Sequence, residues 1–371
     1  MGLYLHVPFC RRKCLYCDFC SYPDKENEID AYVERLCEEI TRRASCVRGR
    51  TVDTIYFGGG TPTLLSPTHV ASLLEVIHAY YSLSNNVEIT TECNPATADR
   101  TKLTALRGLG VNRLSVGAQS ACDDELRALG RIHTFADTRQ TVDAARAAGF
   151  DNLSLDVMYG IPGQTRKSFT HTLSELLRLD PEHISAYSLI VEPGTPFHER
   201  RSTLDLPDED SVCDMTDDAL TVLRTAGYER YEISNFARTG RVSRHNLHYW
   251  SMDDYLGFGP AAHSLVGMTR LQNRPDLAAY LAGQSIAEQE ELLTPSTARD
   301  EYVMLRLRLA DGVQKSAFDN RFGVSFDALY QATAAPYVDL GLMLDTPDRL
   351  CFTDRGFAVS NTVLSELLFR E

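Results

Sequence analysis

The chain has 371 residues, enough for one large domain and a smaller one, since single cores stop growing near roughly 250–300 residues. Its 43% hydrophobic and 24% charged content excludes a disordered or fibrous protein. A formal net charge of -14 disfavours broad nucleic-acid binding, though a local basic groove is compatible with it, and no apolar run approaches the roughly 20 residues that span a bilayer. Residues 1–6 lack the basic head and long apolar stretch of a signal peptide, so a cytoplasmic protein is expected.

Residues 3–7 read as the first strand. Directly after it comes Cys10-Arg-Arg-Lys-Cys14-Leu-Tyr-Cys17, with Cys20 three residues further on. Four of the ten cysteines fall here, while the scattered six read as inert small hydrophobes. Thiolates are iron–sulfur ligands, and a tight C-x3-C-x2-C loop brings three of them around one face of a cluster. Three ligands for four irons leave one iron open to a chelating cofactor. A zinc site takes four closed ligands, and Cys20 would then be the fourth.

A helix at 29–43 and a strand at 52–57 follow, the strand ending in Gly58-Gly-Gly-Thr-Pro62. Glycines let a ligand approach the backbone closely, or simply make a tight strand-to-helix turn. Ser66 caps a helix at 67–81 with Pro67 in its first turn. Strands at 87–92, 113–117, 153–159 and 183–190 then alternate with helices at 100–109, 135–148 and 167–179. Leu103, Leu106 and Leu109 recur at three-residue steps, as one helix face does. Six such units predict an α/β fold, an open, partial (β/α)6 barrel whose functional end is the C-terminal edge of its strands. Polar residues recur at that edge: Glu92, Gln119, Arg131 and Asp156, with Gln164 and Ile190 as further candidates. Each alone is an ordinary rim residue or cap; their shared position points to a ligand site.

Val191-Glu-Pro-Gly-Thr-Pro196 breaks the pattern. A helix at 208–226 and a strand at 228–237 are expected next, then a loop at 238–255. His245, His248 and His263 fall in this stretch, with the only tryptophan, Trp250. Imidazole can ligate heme iron and aromatic rings can stack on a porphyrin; equally, these side chains can pack a second domain against the barrel. From Pro295 the chain reads helix, helix, then a hairpin of 350–353 and 357–359 and a closing helix at 362–369, a small winged-helix-like module. The expected division is a barrel at 1–227, a connecting segment at 228–294 and a C-terminal domain at 295–371.

Tyr4-Leu-His-Val-Pro-Phe-Cys10 followed by C-x3-C-x2-C resembles the radical S-adenosylmethionine (SAM) superfamily. In particular the chain is similar to oxygen-independent coproporphyrinogen III oxidase and its HemW-type heme-chaperone relatives, over nearly its whole length. The resemblance implies a 4Fe-4S cluster on Cys10, Cys14 and Cys17, whose open iron binds SAM and whose electron cleaves the sulfonium to a 5′-deoxyadenosyl radical. It implies that Tyr16 packs on the cofactor and that Gly59, Gly60 and Thr61 take its methionine part. Tyr4, Glu92, Gln119, Arg131 and Asp156 are expected to line one or two SAM sites. In the chaperone branch the segment from His245 to Trp250 is associated with heme, which makes His245 the expected ligand, with His248 and His263 behind it.

Two features separate the chain from the oxidases. Only nine residues precede Cys10, where oxidases carry a sizeable extension over the active site, and Cys17-Asp-Phe-Cys20 replaces their Cys-x-Cys. The resemblance therefore implies a heme chaperone that passes heme to an acceptor protein, served by an electron donor. An oxidase, or a radical enzyme acting on another tetrapyrrole or on RNA, is the alternative.

Overall fold

The computed structural model describes residues 1–284 and 287–368. Strands and helices alternate from the start: β1 (Gly2–Val7), α1 (Ile29–Arg43), β2 (Thr51–Gly59), α2 (Pro67–Tyr80), β3 (Ser82–Cys93), α3 (Arg100–Gly108), β4 (Arg113–Gln119), α4 (Phe135–Ala147), β5 (Leu153–Tyr159), α5 (Arg166–Leu177), β6 (His183–Ser188) and α6 (Glu209–Thr225). Local chemistry sets the helix starts. Ser66, Asp99, Thr134 and Thr165 each accept a hydrogen bond from the backbone N–H three residues on, satisfying a donor the helix leaves orphaned. In α1, Ile29, Tyr32, Val33, Leu36 and Ile40 make one buried face at steps of three and four.

β1 to β6 pair in sequence order and in parallel, and each adjacent pair is bridged by helical crossovers. Alternate residues decide which layer a side chain enters. Leu3, Leu5 and Val7 of β1, Leu114, Val116 and Ala118 of β4, and Leu155 and Val157 of β5 are fully buried in the main hydrophobic core, shared with the helices. The opposite faces look into the barrel. The six parallel strands are the ones expected of the barrel.

The segment after α6 departs from expectation in three places. The strand expected at 228–237 breaks into β7 (Glu229–Arg230) and β8 (Asn235–Ala237), which pair antiparallel with each other. β8 also pairs antiparallel with β6 and borders the barrel there. The loop expected at 238–255 contains a helix, α7 (Arg244–Trp250), capped by Ser243. Its apolar pattern is absent from the sequence because its buried positions are His245 and His248. The chain then returns to the first strand: β9 (Tyr255–Phe258) pairs in parallel with β1 on the side away from β2. β10 (His263–Val266), β11 (Thr269–Asn273) and β12 (Ala287–Leu292) extend that edge antiparallel, giving the order β12-β11-β10-β9-β1-β2-β3-β4-β5-β6-β8-β7.

A second hydrophobic core holds α8 (Pro295–Arg306), α9 (Lys315–Phe322), α10 (Phe326–Asp339) and a three-stranded sheet of order β13-β15-β14, built from β13 (Val313–Gln314), β14 (Met343–Asp345) and β15 (Arg349–Phe352). Met252 and Leu265 reach into it from the barrel side. The hairpin thus uses 343–345 and 349–352, one strand earlier than expected. Thr353 caps a helical turn at Asp354–Ala358, where Gly356 packs so closely on the Leu342 carbonyl that no side chain fits. No helix among the described residues is long and apolar enough to cross a membrane.

Candidate functional site

At the C-terminal edge of the parallel strands lies a cavity of about 430 Å3. Cys10, Cys14, Tyr16, Cys17, Gly59, Gly60, Glu92, Gln119, Arg131, Asp156 and Ile190 all line it, so the structure brings together most of the residues read from sequence. Tyr4 and Thr61 stand one layer back. The Tyr4 phenol meets His6 Nδ1 at 3.1 Å, and Thr61 Oγ1 donates to Cys10 Sγ at 3.5 Å while accepting from Asn94 Nδ2 at 2.7 Å. Gln164 is buried outside the cavity, donating to Glu125 and to the Met158 carbonyl.

The cysteine loop is tied down at several points. Leu15 N–H donates to the Leu129 carbonyl at 3.0 Å, Lys13 Nζ to the Phe19 carbonyl at 3.0 Å, and His6 Nε2 meets the Cys20 carbonyl at 2.8 Å. Cys20 is not among the residues that line the cavity, and its thiol lies 3.6 Å from the Tyr22 hydroxyl. Burial pushes the Cys10 and Cys17 thiols up, Cys17 to about 11, so metal binding here would displace protons. Arg131 Nη1 lies 3.6 Å from Cys14 Sγ, a fixed positive charge suited to a thiolate. Cys10, Cys14 and Cys17 line one opening, as the ligands of a shared iron–sulfur cluster would. Gly60 closes the cradle: a Cβ there would sit 2.6 Å from the Phe9 carbonyl oxygen and 3.0 Å from Cys10 Sγ. Gly60→Ala should therefore displace the loop and cut the iron retained after anaerobic reconstitution by at least half, as an iron assay per chain would read.

Below the thiols the floor is polar and buried. Tyr56 hydroxyl donates to Glu92 Oε1 at 2.9 Å, and Gly59 N–H to Glu92 Oε2 at 3.0 Å. Burial nonetheless pushes the Glu92 carboxyl up to about 7. Asp156 is raised by the same cause, although Ser115 Oγ donates to it at 3.2 Å. Arg113 is buried on the same floor, and its Nε has no hydrogen-bond partner among the described residues. Two carboxylates whose burial opposes ionisation form a site that a cationic ligand would complete.

Gln119 has φ of 64°, a left-handed conformation rare outside glycine, at a register irregularity where β4 meets β5. Gly117 makes space beside it: a Cβ would lie 2.9 Å from Gln119 Nε2 and 3.1 Å from Arg131 Nη2. Arg131 Nη2 also donates at 2.8 Å to Asn94 Oδ1 and to the Gly117 carbonyl.

The histidines are placed differently from the expectation. His245 is buried beneath the floor. Its Nδ1 meets Thr54 Oγ1 at 2.8 Å, its Nε2 meets the Tyr249 hydroxyl at 2.8 Å, and its ring stacks on Tyr56 at 5.0 Å. Burial lowers it to about 3, so the ring is neutral with both nitrogens engaged and neither free for iron. Its neighbour Asn246, not His245, reaches the cavity. His248 sits between Asp53 at 2.8 Å and Asp253 at 3.1 Å. His263 alone of the three is exposed.

Burial pulls the His248 pKa down, but the carboxylates of Asp253 and Asp53 outweigh it and the net shift is upward from 6.5. A raised histidine contributes stability that is full below its unfolded pKa and lost as pH rises through the folded one. His248→Gln should lower the melting temperature more at about pH 5.5 than at about pH 8.5 by differential scanning fluorimetry.

Sequence reading missed Tyr56, Asn94, Arg113, Ser115, Ser185 and Tyr187, all of which line the cavity. A signal was available: Arg113, Ser115 and Gly117, then Asp156 and Met158, then Ser185 and Tyr187 occupy alternate positions of three otherwise apolar strands.

A model of the radical SAM superfamily matches residues 4–176, and one of the HemN C-terminal domain matches residues 293–359. The heme chaperone HemW of Bacillus subtilis (strain 168) is 36% identical, covering 98% of both chains. That of Escherichia coli (strain K12) is 32% identical, covering 99% of this chain and 98% of the relative. Among solved structures, the coproporphyrinogen III oxidase HemN from Escherichia coli, described as a radical SAM enzyme, superposes with a TM-score of 0.87 at 25% identity, covering 99% of this chain and 89% of its own.

Proposed function

Because the chain belongs to the radical SAM superfamily and, along its full length, to the HemW heme-chaperone family, we propose that it binds heme and hands it to an acceptor protein. The observation that carries this reading is the end-to-end match with relatives bearing that name. A 4Fe-4S cluster and SAM are the cofactors this family brings, and when bound they supply one-electron reduction of a sulfonium. The residues present fit them. Cys10, Cys14 and Cys17 would hold the cluster, Arg131 would balance thiolate charge, and Tyr16 would pack against the cofactor. The Gly59–Gly60 backbone, backed by Thr61 and Tyr4, leaves room for the methionine end, and Gln119 supplies an amide. Glu92 and Asp156 would regain their ionised forms beside the ammonium and sulfonium charges. An electron donor for the cluster and a cytoplasmic setting complete the proposal.

Anaerobic titration of the reconstituted full chain with hemin tests it. A Soret change saturating near one heme per chain is expected; a change that never saturates overturns the carrier reading. The likeness to a solved oxidase favours a second reading, decarboxylation of coproporphyrinogen III. Anaerobic incubation with SAM, a reductant and that substrate decides: protoporphyrinogen formation at turnover would make the chain an oxidase.

A further inference from the structure

Large hydrophobic side chains are seldom left exposed in groups, and a cluster of them marks a binding face. Among the described residues, Phe19 is 62% exposed, Ile190 67% and Tyr187 40%, and all three stand around the mouth of the one cavity described above. They come from separate parts of the chain, the cysteine loop and the end of β6. Their backbones are held: the Phe19 carbonyl accepts from Lys13 Nζ, and Leu189 N–H donates to the Tyr159 carbonyl at 2.8 Å. Arg12, exposed and without an ion pair among the described residues, and Lys13 line the same mouth. Asp18 and Glu192 lie there too, so the rim has an acidic and a basic part.

The cavity beneath, at about 430 Å3, falls in the lower half of the roughly 300–1,000 Å3 range of single-ligand pockets, and the proposed cluster and SAM together leave no room in it for a macrocycle. A further, flat ligand would lie across the opening. Heme is flat and apolar over most of its surface, with two carboxylates on one edge, and guanidinium pairs with carboxylate through two parallel hydrogen bonds. The His245 ring, sealed beneath the floor with both nitrogens engaged, offers no competing site.

Resting on the heme-carrier reading, we propose that heme lies across the cavity mouth, its macrocycle against Phe19, Tyr187 and Ile190 and its propionates toward Arg12 and Lys13. Heme in that position covers the cavity, so a SAM molecule bound below leaves more slowly while heme is in place.

Hemin titration of the full chain with its cluster reconstituted tests the placement, comparing wild type, the double variant Phe19→Asp/Ile190→Asp, Arg12→Glu, and Leu340→Asp, which alters an exposed apolar residue of the C-terminal module. The rim variants should weaken heme binding by roughly tenfold or more, with Leu340→Asp binding as wild type. Arg12→Glu should weaken heme but not its dimethyl ester, which has no free propionates. Cluster absorbance near roughly 420 nm guards against a collapsed loop. In a separate measurement, release of radiolabelled SAM from wild type should slow about tenfold or more once heme is bound. Rim variants that bind heme as wild type does, a His263→Ala variant that alone loses it, or unchanged SAM release overturns the placement and leaves the carrier reading intact. Wild type that fails to saturate with heme removes both.

Discussion

Alanine at Cys14 should strip the protein of iron and leave its barrel standing. Two remaining thiols cannot hold a four-iron cluster that already keeps one iron open, so iron after reconstitution should fall from about four atoms per chain to below one. The roughly 420 nm absorbance should vanish with it. The fold should survive because Cys14 lies outside the hydrophobic cores. Its loop keeps the Leu15–Leu129 and Lys13–Phe19 hydrogen bonds, neither of which uses the thiol. Melting temperatures of metal-free wild type and Cys14→Ala should agree within a few degrees, as expected for a half-buried side chain with only weak sulfur contacts. A variant that kept its iron and its absorbance would show that another group, Cys20 foremost, supplies the third ligand.

His245→Ala should do the reverse, harming the fold while sparing heme. The substitution removes a fully buried ring stacked on Tyr56, and leaves Thr54 and Tyr249 without their partners. Cavity formation and two orphaned hydroxyls together cost about 3–5 kcal/mol. A fall in melting temperature on the order of 5–10 °C should follow. Tyr56 also holds Glu92 through its hydroxyl, so SAM affinity should drop while the iron content stays. Glutamine at 245, which can replace one of the two hydrogen bonds, should recover part of both. If His245→Ala instead keeps its stability and loses the Soret change, the ring serves heme iron directly and the burial argument fails.

The parallel barrel was legible because each of its units repeats one local code. A cap such as Ser66 or Thr165, a helix face at steps of three or four, and a short β-rich strand recur in order. The cysteine spacing and the polar strand ends were legible for the same reason. What could not be read were pairings between distant segments. Nothing local to residues 255–258 says that they lie beside residues 2–5. The histidines of α7 are ambiguous for a related reason: an imidazole in a sequence looks the same whether it faces iron or is hydrogen-bonded to Thr54 and Tyr249. Tyr56 and Arg113 were hidden inside apolar strands, where only the inward register exposes their purpose.

The strand that launches the cysteine loop is sandwiched, with Leu3 against both Ile55 and Leu256, and Leu5 against both Phe57 and Phe258. During synthesis one flank of that strand is available early, but the other emerges only after some 250 further residues have left the ribosome. Until then the first strand is a raw sheet border, open to pairing with other chains. The loop that carries the thiols therefore hangs from a strand whose two sheet neighbours are complete only once more than two thirds of the polypeptide exists.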